Sequence, residues 1–181
     1  PSMIFDLIPF IKTAGYIGVG AIVFAESGLF IGFFLPGDSL LFTAGLLASQ
    51  GYLNIYLLVI ITFFAAVIGD SVGYAFGKKV GPKLFNKPQS LLFNPSHIIK
   101  AKAFFEHHGA KAIILARFMP IIRTFAPITA GIGGMPYKQF LINNLVGGAL
   151  WTGGVSLAGY FLGRVVPNVD HYLLPIILLI I

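Results

Sequence analysis

Long apolar stretches with very few charges dominate the chain. Residues 14–49 hold two charged side chains, Glu26 and Asp38, and residues 55–77 hold one, Asp70. Residues 112–163 hold three, Arg117, Arg123 and Lys138. Each stretch exceeds the roughly 20 apolar residues that a helix needs to cross the hydrocarbon core. The pattern therefore predicts an all-α integral membrane protein. A last apolar run, residues 171–181, is too short to span. It reads as the beginning of a longer helix, so the native chain is expected to continue. Residues 78–111 form the clearly polar segment. Within it, Asn94-Pro95-Ser96 can cap a short helix that Gly109 ends. Ile98, Ala101, Phe105 and His108 would share one face with lysines beside them, the pattern of an amphipathic interfacial helix. The topology of residues 5–25 is left open by counting residues; an interfacial helix over residues 3–12 followed by a short crossing is one reading.

Two of the apolar stretches are broken. In residues 26–49 the sequence Leu35-Pro36-Gly37-Asp38 interrupts the helix pattern. In residues 112–134, Pro120, Pro127 and a glycine cluster do the same. Irregular backbone inside a membrane is tolerated where it is buried in protein or lines a wet cavity, so both are expected as re-entrant helix–break–helix hairpins. The chain also resembles itself at a constant offset. Thr43-Ala44-Gly45 aligns with Thr129-Ala130-Gly131, Gly73-Tyr74 with Gly159-Tyr160, Gly77 with Gly163, and Lys78 with Arg164. The reading is a duplication, with repeat 1 over residues 14–80, a cytoplasmic amphipathic linker over 81–111 and repeat 2 over 112–166. Residues 55–77 end at the cytoplasmic lysine segment, and residues 140–163 would leave the cytoplasm if residues 112–134 re-enter, so the copies are expected to be inverted. Opposed hairpins from inverted repeats, meeting near the midplane, are a transporter plan.

Composition narrows the function. Hydrophobic residues make up 57% and charged residues 10%, against about a quarter charged in soluble domains. An ordinary soluble enzyme and a nucleic-acid binder are excluded. Cysteine is absent, which removes disulfides and thiolate chemistry. The formal net charge is +6, and Lys78, Lys79, Lys83, Lys87, Lys100, Lys102 and Lys111 crowd one segment. The positive-inside rule places that segment in the cytoplasm. His97, His107 and His108 lack metal-site spacing, the glycines at 131–134 lack a P-loop lysine, and no serine lies in a nucleophile elbow. No metal or cofactor is expected.

Glu26, Asp38, Asp70, Arg117 and Arg123 are left as charges in apolar sequence. Each costs about 2.5–3.5 kcal/mol at a spanning-helix centre on insertion scales, so they are expected to face one another or water. The acids Glu26 and Asp38 belong to the first hairpin, Arg117 and Arg123 to the second. If the hairpins meet, the four share a cavity. Guanidinium forks match phosphate oxygens, and helix ends opened at Pro36-Gly37 or Pro120 would add positive potential for an anion. Glu26 is the candidate proton carrier, and Asp38 either tunes the site or caps the next helix. The plainer reading makes the arginines static partners of the acids. Asp70, Asn143 and Asn144 are secondary candidates, with structural roles as the plainer reading. Trp151, the single tryptophan, reads as a packing or interface anchor.

These residues resemble the DedA family, whose core is shared with the VTT (SNARE-associated) domain lipid scramblases. The resemblance rests on Phe24-Ala25-Glu26-Ser27-Gly28, Phe34-Leu35-Pro36-Gly37-Asp38-Ser39-Leu40, Ala116-Arg117-Phe118-Met119-Pro120, and Arg123-Thr124 with Pro127 and Ala130-Gly131. It continues through Asn143-Asn144, Gly147 and Trp151 to Gly159-Tyr160 and Gly163. It implies a multi-pass protein of the bacterial or archaeal cytoplasmic membrane. It also implies a flippase returning a phosphate-headed carrier lipid, undecaprenyl phosphate, under the proton motive force. The family's functional acids and arginines map onto Glu26, Asp38, Arg117 and Arg123.

The resulting expectation is a lipid translocase rather than an enzyme. Arg117 and Arg123 would hold the phosphate, and Glu26 and Asp38 would exchange protons. Membrane lipids are the expected partners, and nucleic acid is not one. Sodium in place of protons, and a homo-oligomer, are left open. The rivals are an energy-independent phospholipid scramblase, a proton or small-ion antiporter, and an assembly factor that transports nothing.

Overall fold

In a computed structural model, residues 7–29, 36–84 and 95–165 are described. Seven helices make up these segments, with no strand among them. They are α1 (Leu7–Gly28), α2 (Gly37–Ser49), α3 (Ile55–Leu84), α4 (Pro95–His108), α5 (Lys111–Ala116), α6 (Pro120–Ile132) and α7 (Tyr137–Val165). The expected final helix over residues 171–181 lies outside the described residues, as do residues 30–35 of the first break.

Among the described residues, two helices are long and apolar enough to cross a membrane. An 18-residue window within residues 55–81 of α3 has a mean hydropathy of 2.3, and one within α7 has 1.4. α2 and α6 have 13 residues each, about 20 Å at the helical rise of 1.5 Å, short of the core's roughly 30 Å. α1 is in two pieces, because Gly15 adopts φ 56° and ψ −148° between them. A residue with a Cβ disfavours that geometry.

Several expected boundaries move. α3 does not stop at Gly77 but runs to Leu84, so Lys78, Lys79 and Lys83 extend the helix rather than open a loop. Its side chains there are long and can reach an interface while the backbone stays helical. α4 spans the expected amphipathic helix, and Gly109, at φ 69°, ends it. Pro127, expected as a break, lies inside α6, which runs straight through it. Proline removes a single backbone bond, and its buried ring packs toward Gly73 of α3. The real interruption is at residues 117–119, directly before Pro120, which takes the first helical position, where a missing N–H costs nothing.

Without a hydrophobic force between helices in lipid, close packing through small residues holds them together. Two such seams are built alike. α2 lies on α7, where Gly45 meets the Ser156 carbonyl and Gly159 meets the Phe42 carbonyl. α6 lies on α3, where Gly131 meets the Tyr74 carbonyl and Gly77 meets the Ile128 carbonyl. Each short helix of one half of the chain thus packs on the long helix of the other half. The short helices correspond at the offset seen in sequence, Phe42 with Ile128 and Gly45 with Gly131. The long helices correspond one turn earlier, Gly77 with Gly159. α1 packs on α3 through Gly28 and Gly69. One apolar core joins Val19 and Val23 of α1 to Leu40, Leu41 and Ala44 of α2 and to Trp151. A second joins Tyr74 to Ile113, Ala126 and Phe140.

Candidate functional site

The two cores meet around a charged network drawn from five elements. Arg123 projects from the first turn and a half of α6. Its Nη1 donates to Asp38 Oδ1 at 2.7 Å, and its Nη2 donates to Glu26 Oε1. Asp38 is in the first turn of α2 and Glu26 near the end of α1. The expected meeting of the broken segments therefore occurs at this one guanidinium. Asp38 does not cap α2: Pro36 holds the cap position, with no side-chain cap bond. Its Oδ1 instead also accepts the indole N–H of Trp151, at 2.7 Å.

Glu26 is buried, with 3% of its surface exposed. It sits where α2 begins, so close that a Cβ on Gly37 would overlap its carboxylate. The positive end of the α2 dipole therefore faces a carboxylate of the protein itself. This is the place the sequence reading reserved for an incoming anion.

Arg117 lies in the break before α6 and has a separate set of partners. Its Nη2 donates to Asp70 Oδ2, to Asn144 Oδ1 at 2.5 Å and to the Ala66 carbonyl at 3.4 Å. Asn144 is fixed in turn by donating to the Val67 carbonyl at 3.1 Å. Arg117 is buried, and its Nε has no partner. The arginines thus divide the acids: Arg123 takes Glu26 and Asp38, and Arg117 takes Asp70. Asn143 stands apart, donating to the Gln139 carbonyl of its own helix at 2.8 Å.

Trp151 joins the two groups. The guanidinium carbon of Arg123 is 4.7 Å from its ring centroid and that of Arg117 5.9 Å, within the roughly 6 Å at which a cation is attracted to an indole face. Asp70 is near the middle of α3 and Trp151 near the middle of α7. A cavity of about 380 Å³ adjoins the network, lined by Asp38, Arg117, Arg123, Trp151, Phe42 and Phe118 among others. Ligand pockets begin near 300 Å³, so this one has room for a headgroup.

The VTT domain family matches residues 35–161, from the start of α2 into the last turns of α7. Protein DedA of Escherichia coli strain K12 is 46% identical over 162 residues, covering 88% of this chain and 74% of the relative. The chain belongs to the DedA family of membrane proteins. Similar chains include an uncharacterized membrane protein of Mycobacterium leprae, 49% identical over 157 residues, covering 87% of this chain and 70% of that one. Another, from Mycobacterium tuberculosis strain H37Rv, is 47% identical over 150 residues, covering 82% and 66%. No solved structure matches the chain.

In this DedA-family protein the VTT match contains every member of the network except Glu26, which precedes it. Sequence reasoning brought Glu26, Asp38, Arg117 and Arg123 forward; the structure joins Glu26 and Asp38 to Arg123 and pairs Arg117 with Asp70 instead. It gave Trp151 no part in the site, and it left Asp70 and Asn144 secondary. Helical spacing offered one clue: Asn144 and Trp151 are two turns apart, so they share a face of α7. Nothing in the sequence says that Asp38 lies under that face.

Proposed function

We propose that this DedA-family protein is a transporter that moves a phosphate-headed lipid across the cytoplasmic membrane, in exchange for or together with protons. Polyprenyl phosphate, undecaprenyl phosphate above all, is the proposed lipid. In this reading α1–α2 and α5–α6 are the two re-entrant hairpins of an inverted repeat, and the lysine-rich end of α3 faces the cytoplasm. The two like-built seams of short helix on long helix support the duplication.

The carrying observation is that Arg123 is held on both forks by Glu26 and Asp38 at the edge of a cavity. The protein's own carboxylates occupy the arginine as a phosphate would. A phosphate can take that place when the acids release it. Three carboxylates already face two guanidiniums, and adding another anion to a low-dielectric site is costly unless positive charge arrives with it. Protons delivered to Glu26 and Asp38 would free the Arg123 fork and offset the phosphate charge in one step. Return of the acids to Arg123 would expel the phosphate on the other side. Arg117 keeps its place beside the cavity through Asp70 and Asn144 and adds a second positive centre. Most of the lipid tail stays in the bilayer throughout.

The test is leaflet exchange of a polyprenyl phosphate in proteoliposomes, with and without a proton gradient, and with a zwitterionic phospholipid for comparison. Gradient-dependent movement of the phosphate lipid alone, lost in Glu26→Gln and Arg117→Ala, is the expected result. Gradient-independent movement of both lipids would make the protein a scramblase. Movement of neither by folded protein would leave an ion antiporter or an assembly factor.

A further inference from the structure

We infer that the arginine cavity opens sideways through a mouth in the outer flank of α7 at Gly154, and that a hydrocarbon chain of a phosphate-headed lipid threads it. This rests on the phosphate reading above and adds the path by which the lipid reaches the arginines.

The glycines of α7 are of two kinds. Gly147, Gly148, Gly159 and Gly163 each bring a neighbouring atom within 3.5 Å of where a Cβ would be. Their missing side chains are explained by close packing. Gly153 and Gly154 are different: among the described residues, a Cβ on either would meet nothing within 4 Å. Glycine in a helix interior costs about 1 kcal/mol relative to alanine, and among the described residues no helix approaches to offset it. Gly154 instead lines the cavity together with both arginines and Trp151.

The direction of the mouth follows from its frame. Leu150, Gly154 and Ala158 are one turn apart, form one stripe of α7, and all line the cavity. All three are exposed, and so is Phe118, a further lining residue in the break before α6. This frame is apolar and lies along the middle of a helix long enough to span a membrane. At that depth an exposed apolar frame faces hydrocarbon rather than water. Inside it are charge and room: Arg117 has a buried Nε without a partner. A polar head inside and an apolar frame outside fit a lipid that enters head first from the bilayer, its chain lying in the gap at Gly154.

The single tryptophan reports on the path, because Trp151 lines the cavity yet is only 2% exposed. The protein is reconstituted in vesicles doped with a lipid whose chains are dibrominated at mid-chain. The lipid is either phosphatidic acid, a phosphate monoester, or phosphatidylcholine. Bromine quenches indole emission only at contact range. Brominated phosphatidic acid is expected to quench Trp151 well beyond brominated phosphatidylcholine. Gly154→Leu, and separately Ala158→Phe, are expected to bring that quenching down to the phosphatidylcholine level. The unbrominated emission maximum and helical circular dichroism check the fold of each variant. Strong phosphatidic acid quenching that survives both plugs would overturn the mouth while leaving the phosphate reading intact. Equal quenching by both lipids, abolished by the plugs, would keep the mouth and refute the phosphate reading. Absence of quenching by either lipid would overturn the mouth, because no chain then reaches the cavity.

Discussion

Asp70→Asn isolates the contact that holds Arg117. The substitution keeps the volume and removes the charge. It leaves a buried guanidinium with Asn144 and the Ala66 carbonyl as its remaining partners on Nη2. Both members of the pair are nearly closed to solvent, with side-chain exposures of 3% and 6%, so solvent screening relieves little. Breaking a buried pair by removing one partner costs about 3–5 kcal/mol, chiefly because the other charge is left uncompensated. For a chain of this size 1 kcal/mol moves the melting temperature by about 2–4 °C. The apparent Tm of Asp70→Asn should therefore fall by about 6–20 °C. Thermal unfolding in one detergent, followed by Trp151 emission and by loss of the monodisperse peak, measures it. The double variant Asp70→Asn/Arg117→Met should recover much of the loss, because it leaves no unpaired charge. A fall of less than about 2 °C in the single variant would refute the reasoning. So would a double variant less stable than the single one, since Arg117 would then be stabilising without Asp70.

Other outcomes follow from the same geometry. Gly37→Ala places a methyl group against the Glu26 carboxylate, so it should impair proton-gradient-dependent lipid exchange about as severely as Glu26→Gln does; normal exchange would show that the two need not touch. Trp151→Phe keeps a ring beside the arginines but removes the donor to Asp38. A hydrogen bond to a charged group is worth about 1.5–3 kcal/mol, so transport by folded protein should drop by about tenfold or more, and unchanged exchange rates would count against a role for the indole N–H. Arg117→Lys replaces a guanidinium, whose Nη2 is shared by Asp70 and Asn144, with a flexible ammonium of different geometry and should lose transport; full rates at limiting lipid would remove Arg117 from the site. Gly77→Leu should prevent α3 from seating on α6 and abolish folded protein by size-exclusion chromatography. Gly153→Ala, with nothing near its Cβ, should be neutral or stabilise by up to about 1 kcal/mol in thermal unfolding.

Much was legible in the chain itself because membranes impose coarse rules. Apolar run length marks α3 and α7, since a span needs that many residues whatever it packs against. The energetic penalty on charges in lipid singles out Glu26, Asp38, Asp70, Arg117 and Arg123 without any knowledge of contacts. The repeated Thr-Ala-Gly marks the two short helices that form matching seams. The local reading failed where neighbours override local preference. Pro127 looked like a break, but α6 continues through it because the buried ring packs against α3. Lysines made residues 78–84 look like a loop, but charge alone does not end a helix. Pairing lay beyond the sequence altogether. Which acid holds which arginine depends on how α1, α2, α3 and α6 are brought together, over separations of 47 to 97 residues. Nor could spacing announce that Trp151 would lie over both guanidiniums, or that two glycines of α7 would face open space while four others face backbone or side chains. Burial of each residue type is a property of the chain, whereas the partner it meets is decided only when the helices cross.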